Sequence, residues 1–363
     1  MSEHDLLILG AGLTGLSAAS HYGRKATILE ASAHIGGKAR TRDRAGARFD
    51  ITGHWLHLRH PDMLEWVPNL PGLSLKKHTR KARIFSHETY TLYPFQANTH
   101  GLPPQVAKDC LLGLAEARLH DLESGEPLRQ RPAPTTFAEW IVQKMGRGIA
   151  EHFMFPYNEK IWTVHPDQLS AVWCDRYIPV PKVEDVLAGA VGASREALGY
   201  NAHFLYPESG GIQGLANAVA RTVDGPIEHQ QAVVAVDLAG RRVRTADDRW
   251  HTYKRLVTTL PLPLFVDLCL RVAPISEALA DARGRLAWTE VAHLDVLAAG
   301  ANHDQTGGWD GQGQPHWTYF PERRFPFYRV GSFSAVEPSM TDGDRRNFYV
   351  EFAHRGDLDV NGK

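Results

Sequence analysis

Three glycines near the start of the chain have the spacing of a turn that binds phosphate. Gly10, Gly12 and Gly15 lie in the run GAGLTG, after an apolar segment that predicts a strand and before a segment that predicts a helix. The first glycine allows a tight turn, the second lets the backbone approach a pyrophosphate, and the third lets the helix pack on the strand. N–H groups at the start of the helix would then face the anion. The predicted cradle consists of Gly10, Gly12, Leu13, Thr14 and Gly15.

Two later features indicate which dinucleotide this turn would hold. Glu30 ends the second predicted strand, where its carboxylate can accept hydrogen bonds from a ribose diol. Gly36 and Gly37 then precede Lys38 and Arg40, at a fitting distance from Glu30. In FAD enzymes of the glutathione-reductase-like class a similar G-G-x-x-[RST] element covers the pyrophosphate, and NAD domains usually lack it. We therefore predict FAD, rather than a plain glycine turn or an NAD site.

A histidine follows a glycine in the run ARFDITGHWLHLRH. We expect Gly53 to adopt a backbone conformation that other residues avoid, which would present His54 to its surroundings. An imidazole beside a flavin could hydrogen-bond the edge of the ring or stack on it. His57 and His60, in the same run, are interpreted as core histidines.

Four segments outside the nucleotide fold combine aromatic rings with an amide or a cation. Rings offer flat faces for a uracil, and the planar fork of an arginine can bind two oxygens of a diphosphate. Taken singly, each segment is better explained by aromatic residues in a core and arginines on a surface. The segments are YPFQ (93–96), FMFPYNEKIW (153–162), GYNAHFLYP (199–207) and HWTYFPERRFPFYRVG (316–331), the last containing Trp317, Tyr319, Tyr328 and Arg329.

The elements that must position these residues predict an α/β fold. DLLILG and KATILE are short apolar runs typical of buried strands, and the helical segment between them completes a βαβ unit. Residues 103–160 favour helices, with Thr136 and Glu139 in a capping-box pattern. After Tyr206 the pattern predicts a glycine turn that enters a helix, two strands around an Ala-Gly turn, and a buried strand that ends in prolines. RNFYVEFAHRG predicts a further strand near the end.

The predicted fold class is α/β: a Rossmann-like FAD-binding domain of the glutathione-reductase-like type, with inserted helical and antiparallel-sheet substrate lobes. Residues 1–60 and 203–263 are assigned to a discontinuous FAD-binding domain. Residues 61–202 are assigned to a mainly helical substrate lobe, and residues 264–363 to a shortened substrate-sheet lobe.

Composition limits the partners and the compartment. The 363 residues carry a net charge of -1, which gives no sign of a nucleic-acid partner. The three cysteines are far apart, and none of the 19 histidines belongs to an H-E-x-x-H or H-x-x-x-H pair, so no metal site is predicted. No run approaches the ~20 apolar residues of a membrane span. We expect a reducing, cytoplasmic setting.

Several of these segments together resemble the UDP-galactopyranose mutase family, in its eukaryotic-type form, within the FAD-dependent amine oxidase and protoporphyrinogen oxidase-like superfamily. The resemblance is carried by YPFQ, TFAEWIVQKMGRGIAEHFMFPYNEKIW, PESGGIQGL and HWTYFPERRFPFYR. It implies a flavin fold with helical and sheet substrate lobes. It also implies a pyranose–furanose isomerisation of a UDP-sugar in which reduced FAD acts as the nucleophile, without net redox change.

The resemblance also implies roles for single residues. His54 would lie beside the flavin, while Arg176, in VWCDRYIP, and Arg329 would hold the diphosphate, which makes these three the candidate catalytic residues. The implied cofactor-binding set is Gly10, Gly12, Leu13, Thr14, Gly15, Glu30, Gly36, Gly37, Lys38, Arg40, Gly53 and His54. The implied substrate-binding set is Tyr93, Phe95, Gln96, Phe153, Asn158, Trp162, Arg176, Asn201, Trp317, Tyr319 and Arg329.

The chain departs from the family pattern at three places, one of which is the segment before Arg176, which is one residue shorter than the family version. Thr52-Gly53-His54 stands where the family usually has Gly-Gly-His, and the chain ends at Lys363, where family members continue with further flavin-contacting and diphosphate-binding residues. Three hypotheses follow: a UDP-sugar mutase, an FAD-dependent oxidase or desaturase of the amine oxidase superfamily, and an incomplete flavoprotein without turnover. The sugar, NAD(P)H as the flavin reductant, and the oligomeric state are left open.

Overall fold

The computed structural model describes residues 2–123, 133–193, 202–273, 276–299, 314–342 and 344–356. The chain forms two compact units: unit 1 comprises Met1–Lys76 and Leu205–Trp288, and unit 2 comprises Lys77–Phe204 and Thr289–Lys363. Unit 1 therefore includes most of the segments assigned to the FAD-binding domain, together with residues 61–76 and 264–288. The assignment of three functional domains stays a prediction.

The elements are numbered here in chain order. The strands are β1 (Ser2–Leu9), β2 (Thr27–Leu29), β3 (Thr41–Arg44), β4 (Ala47–Asp50), β5 (Leu75–Thr79), β6 (Ala82–Ser86), β7 (Thr89–Leu92), β8 (His203–Pro207), β9 (Ile227–Glu228), β10 (Val233–Asp237), β11 (Arg242–Thr245), β12 (Trp250–Thr258), β13 (Glu290–Ala298), β14 (Trp317–Tyr319), β15 (Arg329–Ser332) and β16 (Arg346–His354). The helices are α1 (Leu13–His21), α2 (Pro61–Trp66), α3 (Pro104–Glu123), α4 (Phe137–Met145), α5 (Arg147–Ile149), α6 (Phe155–Trp162), α7 (Cys174–Tyr177), α8 (Val183–Ala190), α9 (Gln213–Ala220), α10 (Leu262–Leu270) and α11 (Glu277–Arg285).

Unit 1 is built on a six-stranded sheet with the order β10-β11-β12-β1-β2-β9. The strand β1 is parallel to both β12 and β2, and β2 is parallel to β9. Leu7, Ile8 and Leu9 are fully buried, because a central parallel strand is covered on both faces and therefore needs a continuous apolar run. The predicted βαβ unit and the α/β fold class are confirmed.

Unit 2 combines the helices α3 to α8 with a second six-stranded sheet, in the order β13-β16-β15-β14-β6-β7. In the run 316–331, β14 and β15 pair antiparallel, with Tyr319 opposite Arg329. The final predicted strand is also present, and β16 pairs with β13 and β15. The core of unit 2 is aromatic and includes Phe137 and Trp140 of α4.

Thr136 and Glu139 form the capping box that the sequence predicted at the start of α4. The Glu139 N–H donates to Thr136 Oγ1 at 3.2 Å, and the Thr136 N–H donates to Glu139 Oε2 at 3.1 Å. Two backbone donors at the helix start, which lack partners within the helix, are therefore satisfied.

Replacing this cap should lower the stability of the protein. Thr136→Ala removes the acceptor for the Glu139 N–H, and we expect a loss of about 1 kcal/mol in the free energy of unfolding, measured by denaturant titration. Thr136→Ser keeps the hydroxyl and is the matched control, expected to stay close to the parent. Equal losses in the two variants would show that the methyl group, and not the hydrogen bond, carries the effect.

Within the described residues, no helix is both long enough and apolar enough to cross a membrane.

Candidate functional site

The first glycine turn of unit 1 leaves no room for side chains at two of its positions. Gly10 has φ +101°, and a Cβ there would lie 2.5 Å from Thr259 Oγ1. A Cβ on Gly15 would lie 2.0 Å from the carbonyl oxygen of Gly10. The helix α1 begins at Leu13 directly after this turn, and no side-chain hydrogen bond caps it. Its first N–H groups are therefore available to an anion.

The second glycine pair is joined to the first turn. The Gly36 N–H donates to the Ala11 carbonyl at 2.8 Å, and Gly12 and Gly36 form a parallel β-bridge. Gly37 has φ +58°, and a Cβ on it would lie 3.1 Å from Gly12 Cα. The backbones of the two glycine segments are thus in direct contact, and side chains at these positions would prevent that contact.

The carboxylate of Glu30 lies beside this cradle and is held by the backbone. It accepts the Ala11 N–H at 2.7 Å through Oε2 and the Ser32 N–H at 2.9 Å through Oε1. Each carboxylate oxygen has more than one acceptor direction, so both can still accept from a ribose hydroxyl.

These residues line one open cavity of about 600 Å³, within the size range of small-molecule sites. The lining includes every predicted cofactor residue except Gly15, which packs α1 on β1, and Gly53. The predicted residues brought together are Gly10, Gly12, Leu13, Thr14, Glu30, Gly36, Gly37, Lys38, Arg40 and His54.

Sequence analysis missed several residues of the same lining, among them Arg42 and the segment Thr259-Leu260-Pro261. The Thr259 hydroxyl donates to the Leu9 carbonyl at 2.8 Å, next to the glycine turn. Its position could have been inferred, because β12 is parallel to β1 and ligands bind at the carboxyl ends of parallel strands.

The expectation for Gly53 was wrong. Thr52, with φ +59°, is the residue in the left-handed region, and Gly53 has no positive φ. The ring of His54 folds back on the turn, with Nδ1 3.2 Å from the Thr52 carbonyl oxygen. An Nδ1–H that donates to this carbonyl leaves Nε2 of the neutral ring as an acceptor. This contact is one restraint that holds Thr52 in a conformation unfavourable for a β-branched residue.

A buried carboxylate fixes the segment that leads to His54. Asp50, at the end of β4, is 1% exposed and accepts hydrogen bonds from the hydroxyls of Thr41 and Tyr206 and from the Ile212 N–H. Burial raises the pKa of Asp50, and the three donors counteract that rise. Asp50 was not predicted, because two of its three partners, Tyr206 and Ile212, lie more than 150 residues away along the chain.

The cavity of unit 1 fits the dinucleotide part of a flavin cofactor. Gly12 and Gly37 face each other across a backbone cradle that a Cβ on Gly37 would narrow. The uncapped start of α1 supplies N–H donors for a pyrophosphate, and Arg40 supplies a cation. Glu30 adds the acceptor that a ribose requires.

Unit 2 contains a cluster of four tyrosines, which we call the tyrosine cluster: Tyr93, Tyr157, Tyr319 and Tyr328. The ring of Tyr319 lies 5.3 Å from the rings of both Tyr93 and Tyr157, and Tyr157 lies 6.5 Å from Tyr328. Burial raises the pKa of Tyr93, Tyr157 and Tyr328. These three hydroxyls therefore keep their protons near neutral pH and act as donors.

Arg329 lies beside this cluster and is already paired with a carboxylate. Its Nε is 2.6 Å from Glu351 Oε2, and its Nη2 is 2.9 Å from Glu351 Oε1. The Glu351 side chain has no exposed surface, whereas that of Arg329 is 21% exposed. Burial alone would lower the pKa of Arg329, and Glu351 raises it, so the guanidinium stays charged. Sequence analysis missed Glu351, which stands opposite Arg329 on the adjacent strand.

Other predicted substrate residues are packed inside unit 2. Phe153 stacks between Phe95, at 4.8 Å, and Tyr157, at 5.2 Å, so neighbouring rings cover both of its faces. Gln96 is 6% exposed, and buried Asn158 donates from Nδ2 to the Met154 carbonyl. In this structure these side chains support the tyrosine cluster from within the core.

Three further predicted residues differ in their exposure. Trp317 is buried against Phe204, with ring centroids 6.0 Å apart, whereas Trp162 is 37% exposed. Arg176 is exposed in α7, with its guanidinium 5.3 Å from the ring of Tyr177. Asn201 lies outside the described residues.

Lys160, in the PYNEKIW segment, fixes the turn that leads from β14 to β15. Its Nζ donates to the carbonyl of Phe320 at 2.5 Å and to that of Glu322 at 3.1 Å. Burial lowers the pKa of Lys160 to about 8. Arg329 begins β15 after this turn. Its position therefore depends on Lys160, which lies 169 positions earlier, in α6 of the same unit.

The buried histidine next to Trp317 should make the protein sensitive to acid. His316 is 4% exposed, its Nδ1 accepts the Lys81 N–H, and burial lowers its pKa to about 3. The unfolded chain binds a proton near pH ~6.5, so unfolding gains free energy from protonation as the pH falls below that value. From pH 7.5 to pH 5 this histidine alone should cost about 2 kcal/mol of stability.

Denaturant titrations between pH 7.5 and 5 would measure this dependence. His316→Gln should reduce the slope of unfolding free energy against pH by an amount equivalent to about one bound proton. His60, which was expected in the core, is exposed. A slope that stays the same in His316→Gln would show that other groups govern the acid sensitivity.

Comparison with known proteins supports the assignment of the fold. A family model described as "Flavin containing amine oxidoreductase" matches residues 13–341. A putrescine oxidase from Kocuria rosea is 25% identical over 153 residues, which cover 39% of this chain and 31% of the oxidase. The match thus spans less than a third of that relative.

Two solved structures have the same fold over nearly the whole chain. A reduced UDP-galactopyranose mutase has a TM-score of 0.80 and 23% identity, covering 97% of this chain and 74% of the mutase. A putrescine oxidase variant, redesigned in cofactor binding, has a TM-score of 0.62 and 16% identity, covering 97% of this chain and 76% of the oxidase.

The family assignment rests on both the match and the cavity. The matched residues, 13–341, contain the second glycine pair, Glu30 and His54, all placed at one cavity that suits a flavin dinucleotide. The chain belongs to the flavin containing amine oxidoreductase family.

Proposed function

We propose that the protein is a flavin-dependent UDP-sugar mutase, which interconverts pyranose and furanose forms of a UDP-linked sugar such as galactose. The observation that carries the proposal is the placement of the Arg329 guanidinium next to the tyrosine cluster of unit 2. A diphosphate needs a fixed cation and several neutral donors, whereas an amine needs neither. The likeness to a reduced UDP-galactopyranose mutase over 97% of the chain supports the same conclusion.

The residues of unit 1 would bind and orient FAD. N–H groups at the start of α1, with Lys38 and Arg40, would neutralise the pyrophosphate, and Glu30 would accept from the ribose. When bound in its reduced form, the flavin would supply the nucleophile for the anomeric carbon of the sugar. His54 would offer Nε2 as a hydrogen-bond acceptor at the same cavity. NAD(P)H is proposed as the reductant.

The residues of unit 2 would hold the UDP part of the substrate. Arg329 keeps its charge and its direction through Glu351, and its remaining N–H groups would donate to a phosphate oxygen. Tyr93 and Tyr319 would add neutral donors, and the stacked ring of Phe153 keeps the cluster rigid. Such donors would stabilise the negative charge that builds up as UDP leaves the sugar.

The direct test is turnover without net oxidation. Purified protein, loaded with FAD and reduced by dithionite without oxygen, should convert UDP-galactopyranose into the furanose form, detected by chromatography. The untreated protein should first show the yellow absorbance of bound flavin, because a colourless protein would favour the incomplete flavoprotein. No furanose from the reduced, loaded protein, together with oxygen consumption on addition of putrescine, would contradict the proposal.

An amine oxidase is the second candidate function. It is favoured by the description of the matching family and by the putrescine oxidase match. The exposed Arg176 separates the two candidates, because an oxidase has no diphosphate for it to hold.

Arg176→Gln should lower the mutase activity and the affinity for UDP by about tenfold, since one charge-assisted contact would be lost. Any oxidation of putrescine should stay unchanged in this variant. The measurements are steady-state kinetics and calorimetric titration with UDP. Unchanged UDP affinity would remove Arg176 from the proposed site.

A further inference from the structure

Unit 1 has a second open cavity, of about 800 Å³. It is lined by the turn at residues 33–35, the strand β3, the helix α9 and the strand β9. Arg40 and Arg42 line both cavities, whereas Arg44, Asn217 and His229 line only the second. We call this second cavity the arginine cleft.

Three arginines lie at alternate positions along one edge of the cleft. Arg42 and Arg44 belong to β3, and Arg40 precedes its first residue. Side chains two residues apart on a strand point to the same face, at a spacing of about 6.6 Å. Arg42 and Arg44 are therefore on the same face of β3, and all three arginines line the cleft.

These three arginines form no ion pair with the described residues. No carboxylate there lies within 4.0 Å of the guanidinium nitrogens of Arg40, Arg42 or Arg44. The one acidic lining residue, Asp43, is paired with Arg48, which does not line the cleft, at 3.3 Å. Neighbouring like charges repel one another, and an anion bound between them would remove that repulsion.

The opposite wall of the cleft supplies neutral polar groups. The side chain of Gln213 donates from Nε2 to Asn217 Oδ1 at 3.0 Å and to the Ile35 carbonyl at 3.4 Å. With Oδ1 occupied in this way, Asn217 retains its Nδ2 group as a donor. His34 and His229 also line the cleft and add ring nitrogens. Donors and cations thus outnumber acceptors around a concave space.

We propose that the arginine cleft is a second anion site, which binds a small phosphate-bearing molecule separately from the flavin. The planar guanidinium groups of Arg42 and Arg44 would each donate two hydrogen bonds to phosphate oxygens, and Asn217 would add a neutral donor. Arg42 and Arg44 can each bind one phosphate group, so a diphosphate is the favoured class. The cleft is concave and of ligand size, which favours a small molecule.

Calorimetric titration of the FAD-loaded protein with inorganic pyrophosphate at low ionic strength tests this proposal. The parent should bind, and Arg42→Gln/Arg44→Gln should weaken the affinity by about tenfold or more. Arg44→Gln alone is the milder variant, because Arg44 is exposed and does not line the flavin cavity. The control is Arg24→Gln, an exposed arginine outside the cleft, which should leave the affinity unchanged.

Each result can be assigned to one cause. Loss of affinity in Arg44→Gln, and a larger loss in the double variant, supports a separate site if the flavin content of Arg44→Gln and the pyrophosphate affinity of Arg24→Gln are unchanged. No pyrophosphate binding by the parent would overturn the proposal. So would binding that depends on Arg176 and not on Arg42 or Arg44, an equal loss in Arg24→Gln, or loss of flavin along with pyrophosphate affinity in Arg44→Gln.

Discussion

Gly15→Ala should abolish flavin binding and lower the stability of unit 1 by about 3 kcal/mol, the upper part of the range for overpacking. The added Cβ would lie 2.0 Å from the carbonyl oxygen of Gly10, far inside van der Waals contact. This oxygen belongs to the turn that links β1 to α1, so it cannot move without opening the cradle. Flavin content per protein, from absorbance, and the unfolding midpoint would measure the two effects.

The matched control is Gly284→Ala, also in unit 1. Gly284 lies in α11, where an added Cβ would meet no atom within 4 Å. Alanine is the better helix former, so this variant should gain up to about 1 kcal/mol and keep its flavin. Normal flavin content in Gly15→Ala would mean that α1 can shift away from β1 and that the glycine is not needed for close packing.

The fold was predictable wherever one local pattern decides the structure. The run DLLILG had to be a buried strand, the glycines after it had to be a turn, and Thr136 with Glu139 had to begin a helix. Glu30 was predictable as well, because the end of β2 lies beside the turn in any βαβ unit of this kind. In these cases the partners are close in sequence or are joined by a fixed topology.

The rest of the candidate site depends on contacts that no local pattern contains. Asp50 meets Tyr206 and Ile212 only because β4, β8 and α9 converge. Thr52, whose carbonyl contacts His54, takes the left-handed conformation instead of Gly53, so the glycine rule pointed to the wrong position.

The contacts of the aromatic residues were also not predictable from local sequence. The segments YPFQ and PYNEKIW predicted aromatic rings that stack on a ligand. Composition alone cannot distinguish a ring that is open to a ligand from one whose faces are covered by neighbouring rings. Phe95 and Phe153 are stacked on each other, while Tyr319 stays partly exposed. The pairing of Arg329 with Glu351 was equally unpredictable, since no sequence pattern links the two residues.

Arg329 and Glu351 provide the second large effect, which a double-mutant cycle would measure. Arg329→Gln leaves a fully buried carboxylate without its cation, and we expect it to cost about 3–5 kcal/mol of unfolding free energy. Glu351→Gln should cost less, because the partly exposed guanidinium can still contact water. The double variant carries two neutral amides that can hydrogen-bond, so it should be more stable than Arg329→Gln alone. Additive losses would show that the two side chains act independently.

The same variants separate the structural role of Arg329 from its proposed role in binding. Under conditions where each variant is folded, Arg329→Gln should weaken UDP binding by about 2 kcal/mol or more, through loss of a charge-assisted contact. Glu351→Gln keeps the positive charge but loses the carboxylate that directs it, so its UDP affinity should fall by a smaller amount. Arg324→Gln, at an exposed arginine of the turn before β15, is the control and should bind UDP normally. If Arg329→Gln and Glu351→Gln lost stability and bound UDP as the parent does, Arg329 would be the counter-ion of a buried glutamate, and the diphosphate would need another site.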